Sequence, residues 1–227
     1  MKLSHIVPWG RSFEEYQAMF SLSDGDLEKT IVGCGDGPAC FNAELTARVG
    51  NVVSIDPIYQ FDVKAIRSRV NTVYPEIMDQ LQKTKEKYIW ENFSSIEQLG
   101  STRMQAMESF LADYPKGKLE GRYVNAMLPK LPFANKQFDL ALCSHYLFLY
   151  SEQVSLDEHV SSILELCRVA EEVRVYPLLS LDGQESEQLQ PVMSVLSEKG
   201  ILVSFKEVAY QFQKGAVEML VAKTQKI

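Results

Sequence analysis

No stretch of the 227 residues approaches the roughly 18 consecutive apolar positions of a membrane span. The opening "MKLSHIVPWG" is too short and too polar for a secretory leader, so a cytoplasmic location with no membrane partner is expected. Cysteine is sparse. Cys34, Cys40, Cys143 and Cys167 form no C-x-x-C pair, which leaves no zinc ribbon, no thioredoxin-type centre and no metal to assign. Each lies in apolar sequence and reads as a buried thiol of a reducing compartment. Positive charge is in deficit: 23 Lys and Arg stand against 30 Asp and Glu, a net −7. That balance argues against broad binding to nucleic acid or to an anionic membrane. Internal repeats and low-complexity tracts are missing as well. What remains is a chain 46% apolar with mixed charges, long enough to bury a core as one domain, 1–227, without disulfides or metal.

Short β-type runs alternate with helical ones, the pattern of an α/β parallel sheet. "KTIVGC" (29–34), "NVVSID" (51–56), "RYVNAML" (122–128), "FDLALCS" (138–144) and "EVRVYPLL" (172–179) read as five strands. Residues 38–48 read as a helix with Pro38 in its first turn and Gly50 past its end. The segment 155–169 carries Leu156, Val160, Ile163, Leu164 and Cys167 at helical spacing, and Leu189, Val192, Val195 and Leu196 define another helix that stops at Gly200. The tail reads as two strands joined at "QKG", a link short enough to require an antiparallel pair. Residues 57–121 exceed a single crossover. Their amphipathic sets Ile66/Val70/Val73, Ile77/Met78/Leu81 and Met104/Met107/Phe110/Leu111 predict a helical insertion and a candidate substrate lid. Within it, "KTKEKY" (83–88) reads either as a solvated helix face or as the rim of a pocket.

The first strand runs into "GCGDGPACFNAEL". Gly33, Gly35 and Gly37 remove side chains where the loop turns and where a ligand meets backbone. Asp56 ends the next strand, where a carboxylate accepts hydrogen bonds from ribose hydroxyls. A dinucleotide fingerprint requires a small residue three positions after its second glycine, and Pro38 stands there instead.

The spacing G-x-G-x-G resembles the first motif of the class I S-adenosylmethionine (SAM)-dependent methyltransferases. "VGCGDG", with Cys34 inside it, resembles that family's methionine-binding loop, and "VVSIDP" its ribose-binding strand end at Asp56 and Pro57. "LPFANKQFDLALCSHYLFLY" and "ILELCRVAEEVRVYPL" are similar to its later passages. "PWGRSFEEY", "DPIY", "CSHYLFLY" and "FQKGAVEML" further resemble a bacterial group of uncharacterised methyltransferases. The resemblance implies a Rossmann-like, mostly parallel seven-stranded sheet with one antiparallel strand near the C-terminus, and SAM as cofactor. It implies cofactor contacts from Arg11 and Tyr16 on a leading helix, from Asn125, Ala126 and Met127 at the adenine, and from Ser144. Three departures are visible. Ile31 stands where the family often has an acid, Asn125–Met127 offer none after the third strand, and Ala170-Glu171-Glu172 replaces "PGG".

Methyl transfer from a sulfonium needs alignment and exclusion of water more than dedicated catalysts. A nucleophile that must lose a proton gains from a base, and His145, just past the fourth strand, is the candidate. Its alternative role is to orient the cofactor; His5 and His159 read as incidental. "SHYL" replaces the family's amine-gripping motif, so a small-molecule acceptor is expected rather than nucleic acid. Tyr146, Phe148 and Tyr150 read as core or as pocket wall. The competing functions are a non-catalytic SAM-binding regulatory protein and, opposed by Pro38, a nicotinamide-dependent oxidoreductase.

Overall fold

The computed structural model describes residues 8–224; His5 lies outside the described residues. Seven strands form one sheet in the order β3-β2-β1-β4-β5-β7-β6. β1 (Thr30–Cys34), β2 (Asn51–Ile55), β3 (Tyr123–Val124), β4 (Phe138–Ser144) and β5 (Ala170–Tyr176) are parallel. β7 (Glu218–Thr224) runs antiparallel to both β5 and β6 (Ile201–Glu207) and is the one reversed strand.

Period-two alternation sends neighbouring residues of a strand to opposite faces. Leu140 and Leu142 of β4 pack with Ile31 against Phe13, Tyr16, Phe41 and Leu45. Those side chains come from α1 (Phe13–Met19) and α3 (Phe41–Ala47). Ala141 and Cys143 face the other layer, with Ile163, Leu166, Val192 and Leu196, from α6 (Leu156–Val169) and α7 (Leu189–Glu198). Burial on both faces is why β1 and, after the exposed Asp139, β4 read as near-continuous apolar runs. The four-residue helix α2 (Asp24–Leu27) precedes β1. All four cysteines are free and buried, and no helix of the described residues is long and apolar enough to cross a membrane.

Three boundaries differ from the sequence reading. β3 keeps only two residues because it pairs solely with the end of β2, and residues 125–128 leave the sheet. β5 starts at Ala170 and stops at Tyr176, since Pro177 has no N–H for a further rung. The last two strands are joined by residues 208–217 rather than by three, with Val208 N–H donating to Val217 O across the base of that loop.

The insertion is helical. α4 (Val63–Lys83) and α5 (Ile96–Leu119) pack on each other, and α5 also lies on α3 and β3. Ile66, Val70, Val73, Ile77 and Leu81 of α4 and Met107, Phe110 and Leu111 of α5 are buried, as the amphipathic spacing predicts. α5 thus fills the place of the ordinary crossover helix between β2 and β3, and α4 with residues 84–95 is the addition.

Candidate functional site

Connections leave β1 and β4 on opposite sides of the sheet, so their carboxyl ends flank the crevice where open α/β sheets take ligands. A cavity of about 490 Å³ opens there. Its wall includes Arg11, Tyr16, Cys34, Gly35, Gly37 and Asp56, together with Pro57, Ala126, Met127, Ser144 and His145. Of the cofactor contacts expected from the sequence, Gly33 and Asn125 are not part of it.

The glycine loop is tied to the end of β2. Gly35 N–H donates to Ile55 O (3.1 Å), Gly37 N–H donates to Asp56 Oδ2 (3.0 Å), and Tyr59 Oη donates to Gly37 O (2.7 Å). These two amide groups are therefore spent on the protein. What the loop offers a ligand is bare, side-chain-free backbone at Gly35, held at φ +73°. Gly33 has a different task. A Cβ there would lie 2.0 Å from Asp36 Oδ2, so its hydrogen makes room for that carboxylate.

Asp36, which the sequence reading passed over, is the acid inside the loop. It is buried, accepting from Tyr16 Oη at 2.8 Å and from Ser54 Oγ at 2.6 Å. The chain of bonds continues from Ser54 through Asn42 to Arg122, which is paired with Asp113. Burial, only partly offset by the two hydroxyls, raises the Asp36 carboxyl to about 7. A carboxyl whose folded pKa is raised contributes stability below its unfolded value near 4, and that contribution is lost as pH rises through about 7. Asp36→Asn is thus expected to gain stability on the wild type by a few kcal/mol between pH 5 and pH 8. Thermal denaturation at the two pH values checks it; equal differences at both would refute the assignment.

Asp56 accepts from Gly37 and, through Oδ1, from Ile58 N–H at 2.8 Å, capping a 3-10 turn over Pro57–Gln60. Burial raises its pKa. A carboxylate has about four acceptor sites, so two remain for hydroxyls in the cavity.

The cationic side of the cavity is Arg11. Its Nη1 donates to Trp9 O (2.6 Å), and its Nε is buried with no partner. No carboxylate lies in ion-pair range among the described residues. Glu15, the nearby acid, is engaged by Arg103 of α5 and by Tyr210 Oη (2.6 Å). Both guanidinium groups feel the Glu15 charge, but only Arg103 is paired with it. Burial and the Arg103 charge push the Arg11 pKa down.

His145 sits at φ +51°, a left-handed conformation uncommon outside glycine, held by its N–H donating to Tyr176 O (2.8 Å). Its Nδ1 lies 2.9 Å from Ser144 Oγ. Burial, then the Arg11 and Arg103 charges, push its pKa well below the usual value, so the ring is neutral at neutral pH. His159 is buried away from the cavity, against Phe148 and with Nδ1 2.8 Å from Ser155 O. Phe148 is core, whereas Tyr146 and Tyr150 line the cavity. Tyr88, the last residue of "KTKEKY", lines it too, as do Trp9, Ile77, Leu81, Leu181 and Gln213.

No protein-family profile matches the chain. In sequence it is similar to an uncharacterised protein of Methanocaldococcus jannaschii, 28% identical over 224 residues and covering 98% of each chain. That relative is archaeal, where the motif resemblance points to a bacterial group. Among solved structures it is similar to the magnesium protoporphyrin IX methyltransferase of Synechocystis with bound SAM, at 14% identity over 94% of this chain and 78% of that one, TM-score 0.46. It is similar to a SAM-dependent methyltransferase of Aquifex aeolicus, at 17% identity over 94% and 89%, TM-score 0.46. A third is a putative S-adenosylmethionine-dependent methyltransferase of Methanococcus maripaludis, at 12% identity over 95% and 84%, TM-score 0.49.

Proposed function

We propose that the chain is a SAM-dependent methyltransferase acting on a small-molecule acceptor. The observation that supports this most is the distribution of charge around the glycine loop. Asp36 and Asp56 flank the bare backbone, and the unpaired Arg11 guanidinium faces the same cavity. A dinucleotide would set its diphosphate beside the Asp56 carboxylate and the partly ionised Asp36 in a poorly solvated site, a repulsive placement. A zwitterionic sulfonium nucleoside fits the same groups, with its carboxylate on Arg11, its cationic end toward the acids and its ribose on Asp56.

When bound, the cofactor supplies an electrophilic methyl group. The protein's own part is positional. Gly35 admits the ligand to the backbone, Asp56 holds ribose hydroxyls, and Ala126 and Met127 give apolar contact for the adenine. Tyr16 and Ser144 complete the amino-acid end. Neutral His145 accepts a hydrogen bond from the acceptor and takes its proton. An anion paired with Arg11 removes one of the two charges that depress the histidine's basicity.

Calorimetric titration with SAM and with NADH tests the reading: binding of NADH alone would overturn it. Asp56→Ala is expected to weaken SAM binding by about 1.5–3 kcal/mol, roughly 10- to 150-fold in Kd. Unchanged affinity in a folded variant would remove Asp56 from the ribose site. His145→Ala is expected to lower turnover by about 100-fold or more while SAM affinity holds. Loss of affinity instead would mark His145 as a cofactor-orienting residue.

A further inference from the structure

We infer that the acceptor is an apolar, ring-bearing small molecule, bound in the part of the cavity remote from the strand ends. The inference rests on the methyltransferase reading and adds the class of substrate. The loop and strand-end residues account for the cofactor. Much of the remaining wall comes from Trp9, from Ile77 and Leu81 of α4, and from Tyr88, Leu181 and Gln213. None of these six carries a charge, and five are apolar or aromatic. Gln213 has its amide nitrogen engaged, donating to Ser180 O (2.8 Å), and the polar Gln60, also in the wall, has its amide nitrogen donating to Pro57 O (2.9 Å). Arg69, the charged residue that the insertion adds to the wall, is exposed to solvent. A sugar or a peptide in such surroundings would leave hydroxyls or amides unpaired, whereas an apolar ring loses nothing and gains contact with Trp9 and Tyr88.

A backbone clasp limits the size of that ligand. Residues 87–89 and 212–214 meet as a short antiparallel contact. Ile89 N–H donates to Phe212 O (2.7 Å) and Lys214 N–H to Lys87 O (3.1 Å). Tyr88 stacks on Phe212 at 4.7 Å between centroids, and Trp90 and Phe93 meet Phe212 edge-on. A nucleic acid or protein strand running past this end would have to part those bonds. A free molecule entering from the cofactor side does not.

The test titrates the chain, saturated with S-adenosylhomocysteine, with 2-naphthol, glucose and unfractionated tRNA in parallel. Binding of 2-naphthol alone is expected. Leu181→Lys, a loop position, and separately Trp9→Ala are each expected to weaken naphthol binding about tenfold or more, with S-adenosylhomocysteine affinity unchanged. Preference for glucose or tRNA overturns the inference, as does naphthol affinity indifferent to both variants. A chain that binds S-adenosylhomocysteine but not naphthol sinks the acceptor class alone. A chain that binds neither sinks the methyltransferase reading, and the acceptor class with it.

Discussion

Gly35→Val is expected to abolish SAM binding at millimolar concentration in a chain that still folds. Two effects coincide at this position. At φ +73° a β-branched residue is strained by about 1–2 kcal/mol. Its Cβ would also stand 3.1 Å from Tyr146 Cβ and 3.2 Å from Ser144 O, so the loop and the end of β4 must part by a few tenths of an ångström, and the two further methyls of valine crowd the same cavity wall. Gly121→Val provides the control. That glycine has φ +76° with nothing within 4 Å of the added Cβ, so it carries the strain without the collision. Circular dichroism and calorimetry on both variants should show similar backbone penalties, with binding lost only for Gly35→Val. Binding retained in that variant would mean that the ligand does not approach the loop.

Arg103→Ala is expected to cost about 3–5 kcal/mol, because it leaves Glu15 buried with its charge uncompensated. For a chain of this length the melting temperature should fall by on the order of 10 °C. Arg103 is fully buried and joins three distant pieces of chain: α5, Glu15 of α1, and Tyr210, whose Oη lies 3.3 Å from its Nη2. The double variant Glu15→Gln with Arg103→Met is expected to recover much of the loss, since removing both members of the pair leaves neither of them stranded. Equal stability of Arg103→Ala and wild type would show that the pair holds nothing together. SAM affinity should also fall in the single variant, as the freed Glu15 competes for Arg11.

The sheet and its reversed strand were legible because burial on both faces writes itself as apolar runs, and short connections dictate direction. The extent of β3 was not, because Asn125–Met127 are compatible with a strand and only the edge position of β3 ends the pairing. In the site, Gly35 and Asp56 announce themselves by spacing. Asp36 carried a signal that went unused: it is the acid between two glycines, where a solvated side chain has little reason to be. Arg103 carried one too. It lies four residues after Leu99 and four before Met107, on the apolar stripe of α5, where a cation requires a buried partner. Tyr88 and Gln213 had no local signal, since their roles come from segments that meet only in three dimensions.

That meeting sets an order on the birth of the protein. The two halves of the clasp are separated by more than half of the chain, and the later half comes just before β7. A ribosome therefore delivers the glycine loop, both loop acids and α4 long before the wall opposite them can be closed. Ligand affinity should be acquired only after Lys214 has been made, and a product shortened before Phe212 should keep the loop yet grip its small molecules poorly.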